Sequence, residues 1–202
     1  MATPRAGKVI DPVTFADRDF ERNLQRLAHE TDPPLLEYSK ENNVHAQADR
    51  IIIEQGVPMN WSREQDIIQL VIRKDGTLSL TLNVTGLEDR RDLAAGYFLD
   101  PQIVRKRLQQ AWRFCDAWWE RLDPHLRHNP LMYNVAIYDI GSRRLETPPN
   151  QPVNRISVPP EFPGNPLVVF DQAEKVSRND LHGLQEVERF VTMIGLRFRS
   201  AS

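Results

Sequence analysis

Carboxylates that flank predicted strands are the side chains of this chain best suited to do chemistry. A metal-dependent nuclease brings several acidic side chains to one strand end, where their oxygens hold the metal that activates the attacking water. At least three carboxylates would have to converge, and the candidates are Glu54, Asp66, Asp89, Asp92, Asp139 and Asp171. Asp75 is a poorer candidate, because an Asp-Gly pair has a sufficient conformational role in a turn. A divergent metal-dependent enzyme acting on nucleic acid is therefore one hypothesis.

The histidines and the single cysteine do not complete a site in the sequence. His125 and His128 have a spacing that metals use, but the segment before Pro130 reads as a loop, without an accompanying carboxylate or thiol pattern. Cys115 lies on an apolar stripe, whereas a nucleophilic cysteine needs a base and an open electropositive setting. The sequence also has no glycine-rich phosphate loop and no GxSxG elbow. We therefore predict no catalytic residue, no metal ligand and no cofactor.

Bulk properties restrict the class of protein. The chain has 202 residues, a formal net charge of -2 and a hydrophobic fraction of 40%. This length fits one domain, or one domain with a tail. The charge balance argues against a dedicated nucleic-acid binder, which carries a strong basic excess. Because the sequence shows no apolar run of about 18 residues and no signal peptide, we expect no membrane contact and a cytoplasmic location.

A helix over residues 101–122 is the best-defined element, and it contains three of the four tryptophans. Asp100 can cap it, Pro101 suits its first position, and Pro124 disfavours helix at the residue before it. Spacings of 4, 3, 4, 3 and 4 define one apolar stripe, which consists of Val104, Leu108, Ala111, Cys115, Trp118 and Leu122. Trp112 and Trp119 extend this stripe on one flank. They either widen the core face or contact a partner, since tryptophan is enriched at interface hot spots.

Two further features could serve a partner. Arg105-Lys106-Arg107 fans across about 200° of the helix, which indicates a solvated face rather than one phosphate-binding patch. Arg105 is nevertheless kept as a candidate contact residue. Residues 148–166 contain seven of the 15 prolines and form either a stiff surface connection or a partner-binding loop. The candidate contact residues of this loop are Pro149, Pro152, Pro160, Phe162 and Pro163.

A β-hairpin is predicted over Ile67–Arg73 and Leu78–Thr85. A two-residue Asp-Gly turn is the first guess, but it would pair Leu78 with a charged residue and set the two apolar patterns out of phase. A three-residue loop over 74–76 instead pairs Ile72 with Leu78 and continues the apolar face. We therefore predict a type I turn with Gly76 in the left-handed region as a bulge.

The remaining patterns predict a single α+β domain. Further strands are predicted at Arg50–Glu54, Leu131–Ile140, Ile156–Val158 and Leu167–Asp171, and a last helix at about 178–197 behind a Ser177–Asp180 capping box. After an N-terminal helical segment the order is βββαβββα, which predicts an antiparallel or mixed sheet of about 5–6 strands with helices on its face. The expected boundaries are a flexible arm at 1–12, the helical segment at 13–48 and the α+β domain at 49–202, with the Pro-rich loop at 141–166.

The functional prediction from sequence is a non-enzymatic protein-interaction or sensor module, in which the aromatic helix and the Pro-rich loop contact another protein chain. The first alternative is a small-molecule or nucleotide sensor with a pocket between sheet and helix. A concave apolar pocket with convergent polar groups would favour that alternative, and a filled interface would count against it. The second alternative is the divergent metal-dependent enzyme.

Overall fold

The computed structural model describes residues 2–3, 10, 15, 17–56, 67–84, 99–138, 145, 167–170 and 172–200, with the backbone alone at 2–3, 167–168 and 199–200. Within these ranges the strands are β1 (Ala2–Thr3), β2 (Asn42–Ala46), β3 (Arg50–Gln55), β4 (Ile68–Arg73), β5 (Leu78–Leu82), β6 (Leu131–Tyr133), β7 (Ala136–Ile137), β8 (Leu167–Val168) and β9 (Glu174–Val176). The α-helices are α1 (Arg18–Glu30), α2 (Pro101–Leu122) and α3 (Gln185–Ser200), and a 3-10 helix covers Arg178–His182. The protein is therefore an α+β fold, as predicted.

The sheet is antiparallel and has the strand order β2-β3-β4-β5-β1-β6-β9. Its regular part is β2 to β5, where consecutive strands are neighbours. In β3 and β4 every second residue is buried, because one face of the sheet lies against the helices. The residues that β3 to β5 bury on this face are Ile51, Ile53, Gln55, Ile68, Leu70, Ile72 and Leu78. A separate two-stranded ribbon pairs β7 with β8.

The predicted register of the hairpin is confirmed. Ile72 lies opposite Leu78, and Leu70 lies opposite Leu80. The loop is closed by a hydrogen bond from the Gly76 N–H to the Arg73 carbonyl at 2.9 Å, and Gly76 has a φ of 82°. The continuity of the apolar face therefore selects the three-residue loop, which requires a residue that tolerates positive φ.

The central helix α2 begins and ends where the sequence predicts. The Asp100 carboxylate accepts a hydrogen bond from the Gln102 N–H at 2.8 Å, and Pro101 occupies the first turn. At the other end the Asp123 N–H donates to the Trp119 carbonyl. The helix lies between α1, whose Phe20 ring meets Trp118 edge-on at 5.7 Å, and the 3-10 helix with α3. It therefore forms the centre of the core.

Three details of the predicted fold are wrong. Residues 35–48 are not helical, because 42–46 form the edge strand β2 and pair with β3 over five residues. The last helix is divided, since Ser177 caps a 3-10 helix that ends before α3 begins. The strand predicted at 131–140 is interrupted at Asn134, whose side-chain oxygen accepts a hydrogen bond from the next backbone N–H at 2.7 Å. The predicted strand at 156–158 lies outside the described residues.

Candidate ligand-binding cavity

Both tryptophans proposed as partner contacts lie inside the core of this chain. Trp112 is 6% exposed and Trp119 is 0% exposed. The Trp112 ring meets Tyr133 and Phe190 edge-on at 5.5 and 5.4 Å, and its indole N–H donates to the Gly183 carbonyl at 3.1 Å. Burial therefore supports the core interpretation of both residues, because neither indole has surface to offer a partner.

Trp119 also helps to hold the buried end of α2. The Arg178 guanidinium lies over the Trp119 ring at 5.6 Å and within 3.6 Å of the Asp123 carboxylate. The indole N–H groups of Trp118 and Trp119 are buried and have no hydrogen-bond partner among the described residues. Packing and the cation–π contact, rather than hydrogen bonding, therefore fix Trp119.

The basic residues of α2 anchor the helix to its neighbours. Arg105 makes two hydrogen bonds with Glu188 of α3, at 2.9 and 3.1 Å. Arg113 donates to the His182 carbonyl at 2.8 Å. Arg107 donates from Nε to the Asn83 carbonyl and from Nη1 to the Gln110 side chain, each at 3.0 Å. Of the predicted basic run, Arg105 thus forms an interhelical ion pair, Arg107 holds the end of β5, and Lys106 is exposed.

The described structure places only some of the other candidates from sequence. Five of the six carboxylates, Asp66, Asp89, Asp92, Asp139 and Asp171, lie outside the described residues, and Glu54 accepts a hydrogen bond from Gln69. His128 contacts Asp123, and His125 is exposed. Among the described ranges no group of three or more His, Cys, Asp or Glu side chains could hold a metal. The five Pro-rich-loop candidates, Pro149, Pro152, Pro160, Phe162 and Pro163, lie outside the described residues.

A cavity of about 150 Å³ lies between α2 and the sheet. Its walls come from the end of β5, one face of α2, the segment from β6 to β7, β9, the 3-10 helix and α3. The described lining residues are Leu80, Leu82, Val84, Val104, Arg107, Leu108, Ala111, Trp112, Cys115, Tyr133, Asn134, Val135, Ala136, Ile137, Val176, Leu181, Phe190 and Ile194. Most of them are apolar, which is typical of small-molecule sites.

The cavity lies over the middle of the predicted apolar stripe of α2. Leu108, Ala111 and Cys115 belong to that stripe, but they are only partly buried. The flanking residues Phe114 and Trp119 are buried completely. A stripe that simply packed on the sheet would be most buried along its centre. Here the centre of the stripe faces the cavity, and its flanks form the tight contacts.

Three polar side chains of the described lining, Trp112, Tyr133 and Asn134, direct polar atoms towards other parts of the protein. The Tyr133 hydroxyl donates to Glu186 at 2.7 Å, and the Trp112 N–H donates to the Gly183 carbonyl. The Asn134 amide donates to the Phe170 carbonyl at 3.3 Å. Burial, together with the hydrogen bond to Glu186, raises the pKa of Tyr133 above its usual range. These groups therefore present carbon to the cavity and stay uncharged or internally bonded.

Two residues of the described lining carry a charged or reactive group, namely Arg107 and Cys115. Arg107 is the one charged residue among the described residues of the lining. Cys115 is the single cysteine of the chain, and burial raises the pKa of its thiol to about 12. A thiol with such a pKa is protonated at neutral pH and is a poor nucleophile. Cys115 is therefore not an activated nucleophile in the described lining of the cavity.

The sequence suggested a pocket between sheet and helix as one alternative, but it did not identify the residues that line the pocket. It identified the stripe that contains Leu108, Ala111 and Cys115. The sequence pattern of such a stripe is the same whether the facing side chains fill the space or leave part of it open.

Within the described ranges no helix is both long and apolar enough to cross a membrane. No protein-family model matches the chain, and neither a curated protein nor a solved structure was found to match it.

Proposed function

We propose that this protein is a non-enzymatic small-molecule-binding module that holds its ligand in the cavity between α2 and the sheet. The observation that carries the proposal is the concave cavity of about 150 Å³ between α2 and the sheet, whose described lining is mostly apolar. Protein interiors are close-packed, and openings larger than a water molecule are few. A cavity of this size is therefore uncommon, and it is large enough to hold a small ligand.

The cavity supports a sensor of small molecules over the interaction module that the tryptophans suggested. An interface anchor must be exposed before its partner arrives, whereas Trp112 and Trp119 are covered by this chain. The volume also argues against a nucleotide, because pockets for drug-sized ligands measure about 300–1,000 Å³. The proposed ligand is thus about the size of one ring. The cytoplasmic location expected from the sequence belongs to the same proposal.

Backbone amide NMR with toluene as the probe tests this function. We expect concentration-dependent shifts at the amides of residues that line the cavity, such as Ala111 and Ile137, and small shifts elsewhere. Leu108→Trp would fill the space and abolish the shifts. Leu196→Trp adds the same ring at a residue that is 48% exposed, so it should leave the shifts unchanged. Toluene shifts scattered over the surface, or none in a folded wild-type protein, would overturn the proposal.

A further inference from the structure

We propose that the ligand of this cavity is a neutral one-ring compound without hydrogen-bonding groups, of the class of alkylbenzenes and cyclic hydrocarbons of similar size. This inference rests on the proposed function and adds the chemical class of the ligand. It follows from two properties of the described lining, namely the engagement of its polar groups within the protein and the volume that its carbon surface encloses.

Arg107, the charged residue of the described lining, is engaged by the protein itself. Its Nε donates to the Asn83 carbonyl and its Nη1 to the Gln110 amide oxygen, each at 3.0 Å, and Arg107 makes a further interaction besides these. A ligand carboxylate would have to compete with contacts that the fold already makes. It would also bring a charge into a mostly apolar lining, with a desolvation penalty that only a complete ion pair offsets. These contacts therefore disfavour an anionic ligand.

The neutral polar side chains of the described lining are engaged as well. The Trp112 indole N–H donates to a backbone carbonyl at 3.1 Å, and the Tyr133 hydroxyl donates to Glu186 at 2.7 Å. The Asn134 side chain uses both of its ends, since its oxygen accepts from the next backbone N–H at 2.7 Å and its amide donates to the Phe170 carbonyl at 3.3 Å. A ligand hydroxyl would exchange its hydrogen bonds to water for side chains that are already bonded elsewhere, at a cost on the order of 1–3 kcal/mol.

The carbon surface and the volume favour one hydrocarbon ring. Three rings of the lining, Trp112, Tyr133 and Phe190, meet pairwise edge-on at 5.3–5.5 Å. Cys115 adds a sulfur atom, which makes favourable contacts with aromatic rings. An apolar cavity of about 150 Å³ in another protein takes up benzene, so a single six-membered ring is the size that this volume accepts. A ring without polar substituents gains the contacts with carbon and sulfur and has no hydrogen bond to lose.

Amide NMR titration with toluene, phenol and benzoate tests this class. Toluene and phenol have nearly the same size and differ in one hydrogen-bonding group, and benzoate adds a charge. We expect the wild-type protein to bind toluene at least about 5-fold more tightly than phenol, and benzoate more weakly than either. Ala111→Ser adds one hydroxyl to the cavity wall and should reduce the preference for toluene over phenol by at least about 3-fold. Ala117→Ser makes the same change at a half-buried position of α2 outside the described lining and should leave the preference unchanged.

The outcomes separate this inference from the function on which it rests. Phenol or benzoate bound at the cavity as tightly as toluene by the wild-type protein would overturn the neutral hydrocarbon class and leave the cavity as a ligand site. Failure of all three probes to shift the amides of the cavity would overturn the function itself. The comparison among probes on the wild-type protein decides the question even if Ala111→Ser does not fold. An equal change of preference in Ala111→Ser and Ala117→Ser would also count against the described lining as the source of the preference.

Discussion

The carboxylate of Asp123 accepts a hydrogen bond from the backbone N–H of His128 at 2.7 Å, and this contact closes the loop that follows α2. The same carboxylate lies 3.2 Å from the His128 ring nitrogen and 3.3 Å from Arg127 Nε. From the other side Arg178 approaches it and donates to the Asp123 carbonyl at 3.3 Å. Asp123 therefore joins the end of the central helix, the following loop and the 3-10 helix at one buried point.

Acid should weaken the protein through Asp123. Burial alone would raise the pKa of this carboxyl, but hydrogen bonds from His128 and Arg127 outweigh burial and lower it from 3.8 to about 2. A carboxyl whose pKa is lowered by folding adds stability above its unfolded pKa, and this stability is lost as the pH falls toward the folded pKa. The contribution of Asp123 to the free energy of unfolding, measured by urea titration, should therefore fall by about 2 kcal/mol between pH 4 and pH 2.

Asp123→Asn should remove most of this pH dependence and cost about 3 kcal/mol at neutral pH, because it leaves Arg178 buried without its opposite charge. The matched control is Glu41→Gln, which changes an exposed acid in the same way and should leave the urea midpoint nearly unchanged. A wild-type acid response that persists in Asp123→Asn would show that other carboxyls are responsible.

Gln55 should be one of the most sensitive polar positions. It is fully buried on β3, where its amide accepts from the Glu37 N–H at 2.9 Å and donates to the Glu37 carbonyl and the Asn42 side chain, each at 2.8 Å. Gln55→Leu would leave these three groups unpaired and lower the free energy of unfolding by about 2–3 kcal/mol in urea titration. Gln69→Leu, on the other face of the sheet, loses one side-chain hydrogen bond and should cost less than about 1 kcal/mol. Equal costs would contradict the structural role of Gln55.

Substitution by alanine should destabilise the protein at Gly76 but not at Gly183. Gly76 has a φ of 82° in the hairpin loop, so Gly76→Ala should cost about 1–2 kcal/mol from backbone strain. Gly183 has a φ of -86°, and an added Cβ would lie 3.7 Å from the nearest atom, which is ordinary contact. Gly183→Ala should change stability by less than about 0.5 kcal/mol or increase it slightly. Thermal unfolding of the pair checks both values, and a neutral Gly76→Ala would contradict the left-handed loop.

Cys115 should react slowly with iodoacetamide in the folded protein. Because burial raises the pKa of its thiol from 9.0 to about 12, the thiolate fraction near pH 8 should be about 1,000-fold lower than in the unfolded chain. Mass spectrometry of the single alkylation site gives both rates directly, with the urea-unfolded protein as the reference. We also expect the folded rate to rise about tenfold per pH unit up to about pH 11. Comparable rates in the folded and unfolded protein would indicate an open, ordinary thiol.

Local signals made much of this fold predictable. The caps at Asp100 and Pro101 and the proline at 124 set the ends of α2, and the alternation of β4 and β5 set the hairpin register. Both depend on residues close in sequence. The helical prediction for 35–48 was wrong because what organises this segment is distant: the Gln55 amide binds Glu37 and Asn42 across 18 and 13 residues. No pattern within 35–48 contains that information.

The cavity depends on a still larger set of distant residues. Its lining comes from strands, helices and connecting segments between Leu80 and Ile194. Whether their side chains meet or leave a space is decided by volumes and directions that only the folded arrangement sets. Trp112 and Trp119 illustrate the same point, since their spacing indicated one side of α2 but not that other parts of the chain would cover them.

The strand β2, which the sequence did not predict, also determines where the sheet stops. It comes first in the strand order, and no other described strand pairs with its outer side. A long, flat, apolar edge strand would pair with a strand of a second molecule and so promote aggregation. β2 is instead five residues long, mostly exposed, and polar at Asn42, Asn43 and His45. The composition that made this strand hard to recognise is thus the same composition that discourages two molecules from joining their sheets edge to edge.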